Sequence, residues 1–155
     1  MEIRRFKKED SAELAEVIAV TLRTTNIKDY TAEYIENDIS FLTADKLVER
    51  DAWTNIYVVI DEGKIIGCGA IGPYWGKEDE SSLYTVFVLP EYQGKGIGRK
   101  IIDTLEQDEY FLRAKRIEVP ASITALEFYR KMGYDYKNGV KELDEDKLCH
   151  LEKFR

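Results

Sequence analysis

From Gln93 to Lys100 the chain reads Gln93-Gly94-Lys95-Gly96-Ile97-Gly98-Arg99-Lys100, directly after the apolar run Val86-Phe87-Val88-Leu89-Pro90. Alternate glycines that open a helical pattern let backbone N–H groups approach an anion. A helix start adds unpaired donors and the positive end of a dipole. Lys95, Arg99 and Lys100 bring side-chain cations to the same place, so the chemistry indicated is the holding of a phosphate. Two phosphate loops are excluded by spacing. A P-loop needs four residues between its first glycine and a Gly-Lys-Ser/Thr, and no glycine here provides that. A dinucleotide fingerprint, G-x-G-x-x-G, fails because Arg99 stands where the third glycine belongs.

The elements that must position this turn are legible from periodicity. Ile3 to Phe6 alternates as a short strand; Asp10 and Glu13 read as a capping box for a helix carrying Leu14, Val17, Ile18 and Leu22. Weaker helical patterns run from Thr31 to Phe41 and from Thr43 to Glu49. Asn55–Ile60, the turn Asp61–Lys64 and Ile65–Ile71 predict an antiparallel hairpin whose second strand Gly67 and Gly69 weaken. An exposed loop with the acidic run Glu78–Glu80 precedes a strand over Ser82–Val88. After the glycine turn, the stripe Ile97, Ile101, Ile102, Leu105 and Leu112 predicts one helix reaching about Ala114. A short strand ends at Pro120, a helix with Ala125, Phe128, Tyr129 and Met132 on one face ends at Gly133, and a hairpin closing around 142–146 finishes the chain.

Composition narrows the class. With 155 residues and 44% hydrophobic content, one domain spanning 1–155 is expected. No apolar run nears the roughly 20 residues that span a bilayer, and no signal-type segment follows Met1, so no membrane partner and a cytoplasmic location are expected. Cys68 and Cys149 suit a reducing compartment and form neither a CxxC pair nor a metal cluster, so neither a disulfide nor a metal is expected. A net charge of −7 argues against non-specific nucleic-acid binding, mildly attracts cationic amines, and is first a solubility feature.

The pattern Gln93-x-x-Gly96-x-Gly98, after a strand ending Val88-Leu89-Pro90-Glu91-Tyr92, resembles the acetyl-CoA signature Q/R-x-x-G-x-G/A of the GNAT superfamily of N-acyltransferases. Ala125-Leu126-Glu127-Phe128-Tyr129-Arg130-Lys131-Met132-Gly133-Tyr134 is similar to that superfamily's A-x-x-F-Y-x-x-x-G-F/Y helix, and the element order agrees over essentially the whole chain. The resemblance implies an α/β (α+β) GNAT-like fold with a central mixed, mostly antiparallel sheet flanked by helices. It also implies an N-acetyltransferase that moves an acetyl group from acetyl-CoA to a primary amine by direct attack in a ternary complex, without a metal.

By the same resemblance, backbone N–H groups of Gln93, Gly94, Lys95, Gly96, Ile97, Gly98 and Arg99 would hold the pyrophosphate. A bulge around Val86, Phe87 and Val88 would aim an N–H at the thioester carbonyl, and Val88 would pair with the pantetheine arm. Ser122 stands where many relatives have asparagine; it would contact that arm or simply cap the last helix. Tyr129 matches a tyrosine that protonates the leaving thiolate, the competing reading being core packing beside Phe128. Glu80 lies where relatives place a proton-accepting glutamate, in competition with Glu78 and Asp79 and with a merely solvated acidic loop. His150, the single histidine, reads as a packed or surface residue before it reads as a base.

Tyr30, Tyr34, Trp53, Tyr74 and Trp75 would either wall the acceptor site or fill core. The acceptor is a small-molecule amine or a peptide or protein amine, and a homodimer is compatible with the chain. A silent CoA-binding sensor or assembly module is the alternative, with a nucleotide-dependent enzyme ranked below it.

Overall fold

The structure is a computed structural model covering Met1–Arg155. Seven strands form one sheet in the order β1-β2-β3-β4-β5-β7-β6. They are β1 (Glu2–Arg5), β2 (Asn55–Asp61), β3 (Lys64–Pro73), β4 (Glu80–Val88), β5 (Arg116–Ser122), β6 (Asp135–Tyr136) and β7 (Leu148–Phe154). Every neighbouring pair is antiparallel except β4 and β5, which run parallel. The helices are α1 (Ser11–Thr24), α2 (Ala32–Ser40), α3 (Ala44–Asp51), α4 (Ile97–Leu105), α5 (Glu109–Leu112) and α6 (Leu126–Lys131). None is long and apolar enough to cross a membrane.

Both sheet faces are covered, which is why Val58 and Val59, pointing to opposite faces, are each fully buried. On one face Leu14, Ile18, Leu22, Ile35 and Leu47 of α1, α2 and α3 pack on Ile56, Val58, Cys68 and Ala70. On the other, Ile97, Ile101, Ile102 and Leu105 of α4, with Phe111 and Tyr129, pack on Ile66, Ile71, Leu83, Ile117 and Val119. The β2–β3 hairpin turns through Glu62 (φ 50°) and Gly63 (φ 77°), the positive-φ pair that suits a twisted two-residue turn.

Several expectations are corrected. Asp10 and Glu13 form no capping box for α1. Asp10 instead accepts from the Arg4 guanidinium (2.8 and 3.0 Å) and from Lys7 N–H, while Glu13 accepts from Ile65 N–H at 2.8 Å. Tertiary partners outcompete the local cap. The helix from Ile97 stops at Leu105, because buried Asp108 turns the chain: it accepts from Tyr110 N–H as the cap of α5 and from Asn55 and Tyr57 of β2. Leu112 is accordingly exposed. β5 does not end at Pro120 but continues to Ser122, and a proline is tolerated there because pairing with β4 has already ended at Ser82–Glu118. The terminal hairpin has a two-residue first arm, and β7 lies between β5 and β6.

Gly67 and Gly69 both lie within β3: Gly69 lets α4 lie close to it, and a Cβ on Gly67 would fall 2.8 Å from Phe87 O of β4. A Cβ on Gly69 would fall 2.4 Å from Ile101 Cγ2.

Candidate active site

β4 and β5 pair only from Glu80–Ser82 to Arg116–Glu118. Beyond that they part, and a cavity of about 650 Å³ opens between Leu83–Val88 on one side and Val119, Pro120 and Ser122 on the other. Parallel strands that separate at their carboxyl ends leave a slot for an extended ligand. The start of α4, Phe128 and Tyr129 of α6 and Met132 just after it line one side; Thr21 and Leu22 of α1, Thr25 just after it and Asp38 of α2 line the other.

β4 is bulged. Cys68 faces Phe87 but Ala70 faces Tyr84, so Gly69 opposes both Thr85 and Val86. Thr85 has φ 55°, a left-handed conformation that is costly for a β-branched residue. Its carbonyl accepts from Cys68 Sγ at 3.1 Å and its Oγ1 from Arg50 Nη1 at 3.3 Å. The bulge lies at the N-terminal edge of the expected Val86–Val88 stretch, and all three of those residues line the cavity.

The glycine turn behaves as its residue types require. Gly94 (φ 76°) and Gly96 (φ 81°) are left-handed, and Gly96 caps α4 with no side chain covering the helix start. Gly98 serves packing: a Cβ there would lie 2.9 Å from Phe128 Cε1. Gln93 Nε2 donates to Val88 O (2.9 Å) and Thr25 Oγ1 (3.2 Å), tying the turn to β4 and α1. Gln93, Gly94, Gly96, Ile97, Gly98 and Arg99 line the cavity; Lys95 does not, its ammonium sitting 5.4 Å from the Tyr92 ring centroid. None of Lys95, Arg99 and Lys100 has a carboxylate within 4.0 Å. Ser122 lines the cavity and its Oγ accepts from Ala125 N–H at 3.1 Å, fastening the turn before α6.

Tyr129 is 6% exposed and packs edge-on to Phe128 and Tyr134. Its hydroxyl has no hydrogen-bond partner in the protein, and burial raises its pKa above the ordinary phenol value. Glu80 is placed elsewhere: its Oε1 accepts from Arg116 Nε (3.2 Å) and Nη2 (3.0 Å), and it does not line the cavity. Arg116 also holds Glu118 and Glu152. His150 belongs to the same network, with Nδ1 2.6 Å from Glu118 and Nε2 2.7 Å from Asp144. Burial lowers its pKa, but these two carboxylates outweigh that and leave it raised, which suits a structural cation rather than a base.

The residue that sequence reading missed is Asp38. It lines the cavity without any side-chain hydrogen bond or ion pair, and burial, helped by Asp146, raises its pKa. Only its place on the polar side of a weak helical pattern was visible in the sequence. Tyr30, Tyr34, Trp53, Tyr74 and Trp75 do not line the cavity, though Tyr84 does. Tyr30 and Tyr34 stack at 4.4 Å and donate to the carbonyls of Lys147 and Asp146, and Tyr30 also accepts from Ile123 N–H. They brace the cavity from behind.

The sequence matches the family model described as an acetyltransferase (GNAT) domain over residues 52–136, more than half of the chain. It is 35% identical over 89 residues to an amino-acid acetyltransferase of Mycobacterium tuberculosis, covering 56% of this chain and 49% of that one. An amino-acid acetyltransferase of Ralstonia nicotianae is 31% identical over 102 residues, 66% of this chain and 22% of that protein. The chain thus spans about half or less of the length of these relatives. Among solved structures, PaiA N-acetyltransferase of Thermoplasma acidophilum, in complex with coenzyme A, superposes with a TM-score of 0.83 at 21% identity, covering 99% of this chain and 98% of that one. That likeness concerns the fold.

Proposed function

The chain belongs to the GNAT acetyltransferase family, and from that premise we propose that it transfers an acetyl group from acetyl-CoA to a primary amine by direct attack. The observation that carries the reading is the gap between β4 and β5, bordered by a glycine-built helix start without a side-chain cap and by a buried tyrosine with a free hydroxyl. A slot flanked by strand backbone suits an extended pantetheine-like arm, and unpaired N–H groups beside Arg99 suit its phosphates. When bound, acetyl-CoA supplies the activated acetyl group.

The chain's own groups then divide the work. The turn from Gln93 to Arg99, with Lys95 and Lys100 at its rim, holds phosphate. The bulge at Thr85–Val86 turns backbone N–H toward the reacting carbonyl, where a fixed donor stabilises developing negative charge. Val86, Phe87, Val88 and Ser122 border the arm. Tyr129 keeps its proton at neutral pH, because burial opposes the phenolate, and gives it to the departing sulfur. Asp38 takes the proton that the ammonium must lose before its nitrogen can attack. Glu80 is engaged by Arg116 and is left out of this step.

The test is thiol release from acetyl-CoA with a panel of amines, together with Tyr129→Phe. Transfer to at least one amine, with kcat lowered about tenfold or more in Tyr129→Phe and acetyl-CoA affinity retained, is the expected result. A protein that binds acetyl-CoA yet releases no thiol with any amine would instead be a binding module.

A further inference from the structure

Thr85 is the one non-glycine residue with positive φ inside a strand; Glu62, Trp75, Asn138 and Lys147 lie outside the strands. Two contacts hold it. Cys68 Sγ of β3 donates to its carbonyl at 3.1 Å, and Arg50 Nη1 of α3 donates to its Oγ1 at 3.3 Å. β4 lies between β3 and β5, and the C=O and N–H of a planar trans peptide point in opposite directions. With Thr85 O turned to β3, the Val86 N–H of the same peptide is turned away from β3, toward the gap where β4 and β5 part. Thr85 and Val86 both line the cavity there. Arg50 stands on a fixed base, since its carbonyl accepts from Thr54 N–H (3.0 Å) and Thr54 Oγ1 (2.8 Å) and Thr54 is buried. Its guanidinium lies 5.9 Å from the ring centroids of both Trp53 and Tyr84. None of the chain's 30 acidic residues pairs with it, and burial disfavours its charge. Ion pairing therefore does not account for this side chain, whose one hydrogen bond goes to the bulge.

We propose that Arg50 is a positioning residue for acetyl transfer, holding Thr85 left-handed so that the Val86 N–H stays aimed at the thioester carbonyl. This rests on the acetyl-transfer reading above. A β-branched residue left to itself relaxes to the ordinary strand region, and that rotation would carry the Val86 peptide with it. The Cys68 thiol is a weak donor and anchors the carbonyl alone. Arg50 anchors the side chain, a second point off the backbone axis, so the two together resist a rotation that either alone would permit. Stacking against Trp53 and Tyr84 limits the swing of the guanidinium itself. Arg50 does not line the cavity, so its effect on the reaction passes through Thr85. It exchanges no proton. The donor to the developing negative charge is backbone, and Arg50 sets its direction before the reaction begins, which is when a fixed dipole has to be in place.

The experiment measures thiol release from acetyl-CoA with an accepted amine, and the infrared carbonyl stretch of bound acetyl-CoA isotope-labelled at the thioester. The proteins are the wild-type chain, Arg50→Met, Arg50→Lys, Thr85→Val, Thr85→Gly, and Arg50→Met combined with Thr85→Gly. Arg50→Met should lower kcat about tenfold or more, with amine KM and acetyl-CoA affinity little changed. It should also raise the stretching frequency, because a hydrogen bond to a carbonyl weakens its C=O bond. Thr85→Val, which removes the accepting oxygen and keeps the shape, should do the same, and Arg50→Lys should retain part of the activity. Glycine takes positive φ without strain, so Arg50→Met added to Thr85→Gly should change kcat less than about twofold. An undiminished loss in the Thr85→Gly background would overturn the proposal, since the effect would then not pass through Thr85. So would a raised amine KM with kcat and the carbonyl stretch unchanged, which would make Arg50 an acceptor contact. A lowered urea midpoint with no change in either reaction readout would make it a structural cation and overturn the proposal as well. A wild-type chain that binds acetyl-CoA yet releases no thiol with any amine would instead mark failure of the acetyl-transfer reading itself and remove the proposal with it.

Discussion

In the proposed reaction Asp38 and Tyr129, which line one cavity, have opposite protonic tasks, and burial raises the pKa of both. A carboxyl whose pKa is raised is a stronger base when ionised, and a phenol whose pKa is raised keeps its proton for delivery. The sign for Asp38 follows: it must be ionised to accept a proton, so activity falls as pH drops through its raised pKa. Asp38→Asn should reduce kcat/KM roughly a hundredfold near neutrality and remove that acid limb. A pH–rate profile settles it; a variant that keeps the wild-type acid limb would exclude Asp38 as the proton acceptor. Thr85 illustrates the same scale differently. Its left-handed backbone, worth about 1–3 kcal/mol of strain, is held by the Cys68 thiol on one side and Arg50 on the other.

Among the elements, β3 and α4 determine how the bulge and the glycine turn meet. Gly69 lies opposite the bulge on β3, under Ile101 and Leu105 of α4. A methyl group there, 2.4 Å from Ile101 Cγ2 and 3.1 Å from Leu105 Cδ1, must push α4 outward. Gly69→Ala should cost about 1–3 kcal/mol by overpacking and also weaken acetyl-CoA binding, because the start of α4 moves with the helix. Urea denaturation alongside calorimetric titration would check both. Unchanged stability would mean that the helix yields freely, and the close-approach account would fail.

Across the whole molecule, charge ties the parallel strand pair to the far hairpin. Arg116 joins Glu80 of β4, Glu118 of β5 and Glu152 of β7, while His150 links Glu118 to Asp144. Asp144 in turn accepts from Asp146 N–H and Leu148 N–H, shaping the loop whose carbonyls receive Tyr34 and Tyr30. Protonated His150 therefore supports the loop that braces the cavity. Its folded pKa lies above the ordinary histidine value of about 6.5. The stability it adds is thus fully present below that unfolded value and is lost as pH rises through the raised folded one. His150→Gln should be less stable than wild type at pH about 6, the gap narrowing by pH about 9. Urea midpoints at the two values decide, and a constant gap would rule out a charged role.

The sequence by itself determined what depends on neighbours along the chain: the β2–β3 hairpin, the glycine turn that opens α4, the α6 register that sets Tyr129 beside Phe128, and through these the family. Such features follow from local φ/ψ limits and from periodicity, which a linear reading contains. Only the tertiary structure decided where β4 and β5 part, that the bulge sits at Thr85–Val86, that Glu80 is held by Arg116, and that Asp38 lines the cavity beside them. Each of these brings together residues tens of positions apart, where the partner a charged group finds depends on packing rather than on its own neighbours in the chain. The failed cap at Asp10 and the break at Asp108 also depend on donors from other elements: Arg4 claims the Asp10 carboxylate from its helix, and Asn55 and Tyr57 of β2 hold one oxygen of Asp108 while the other caps α5.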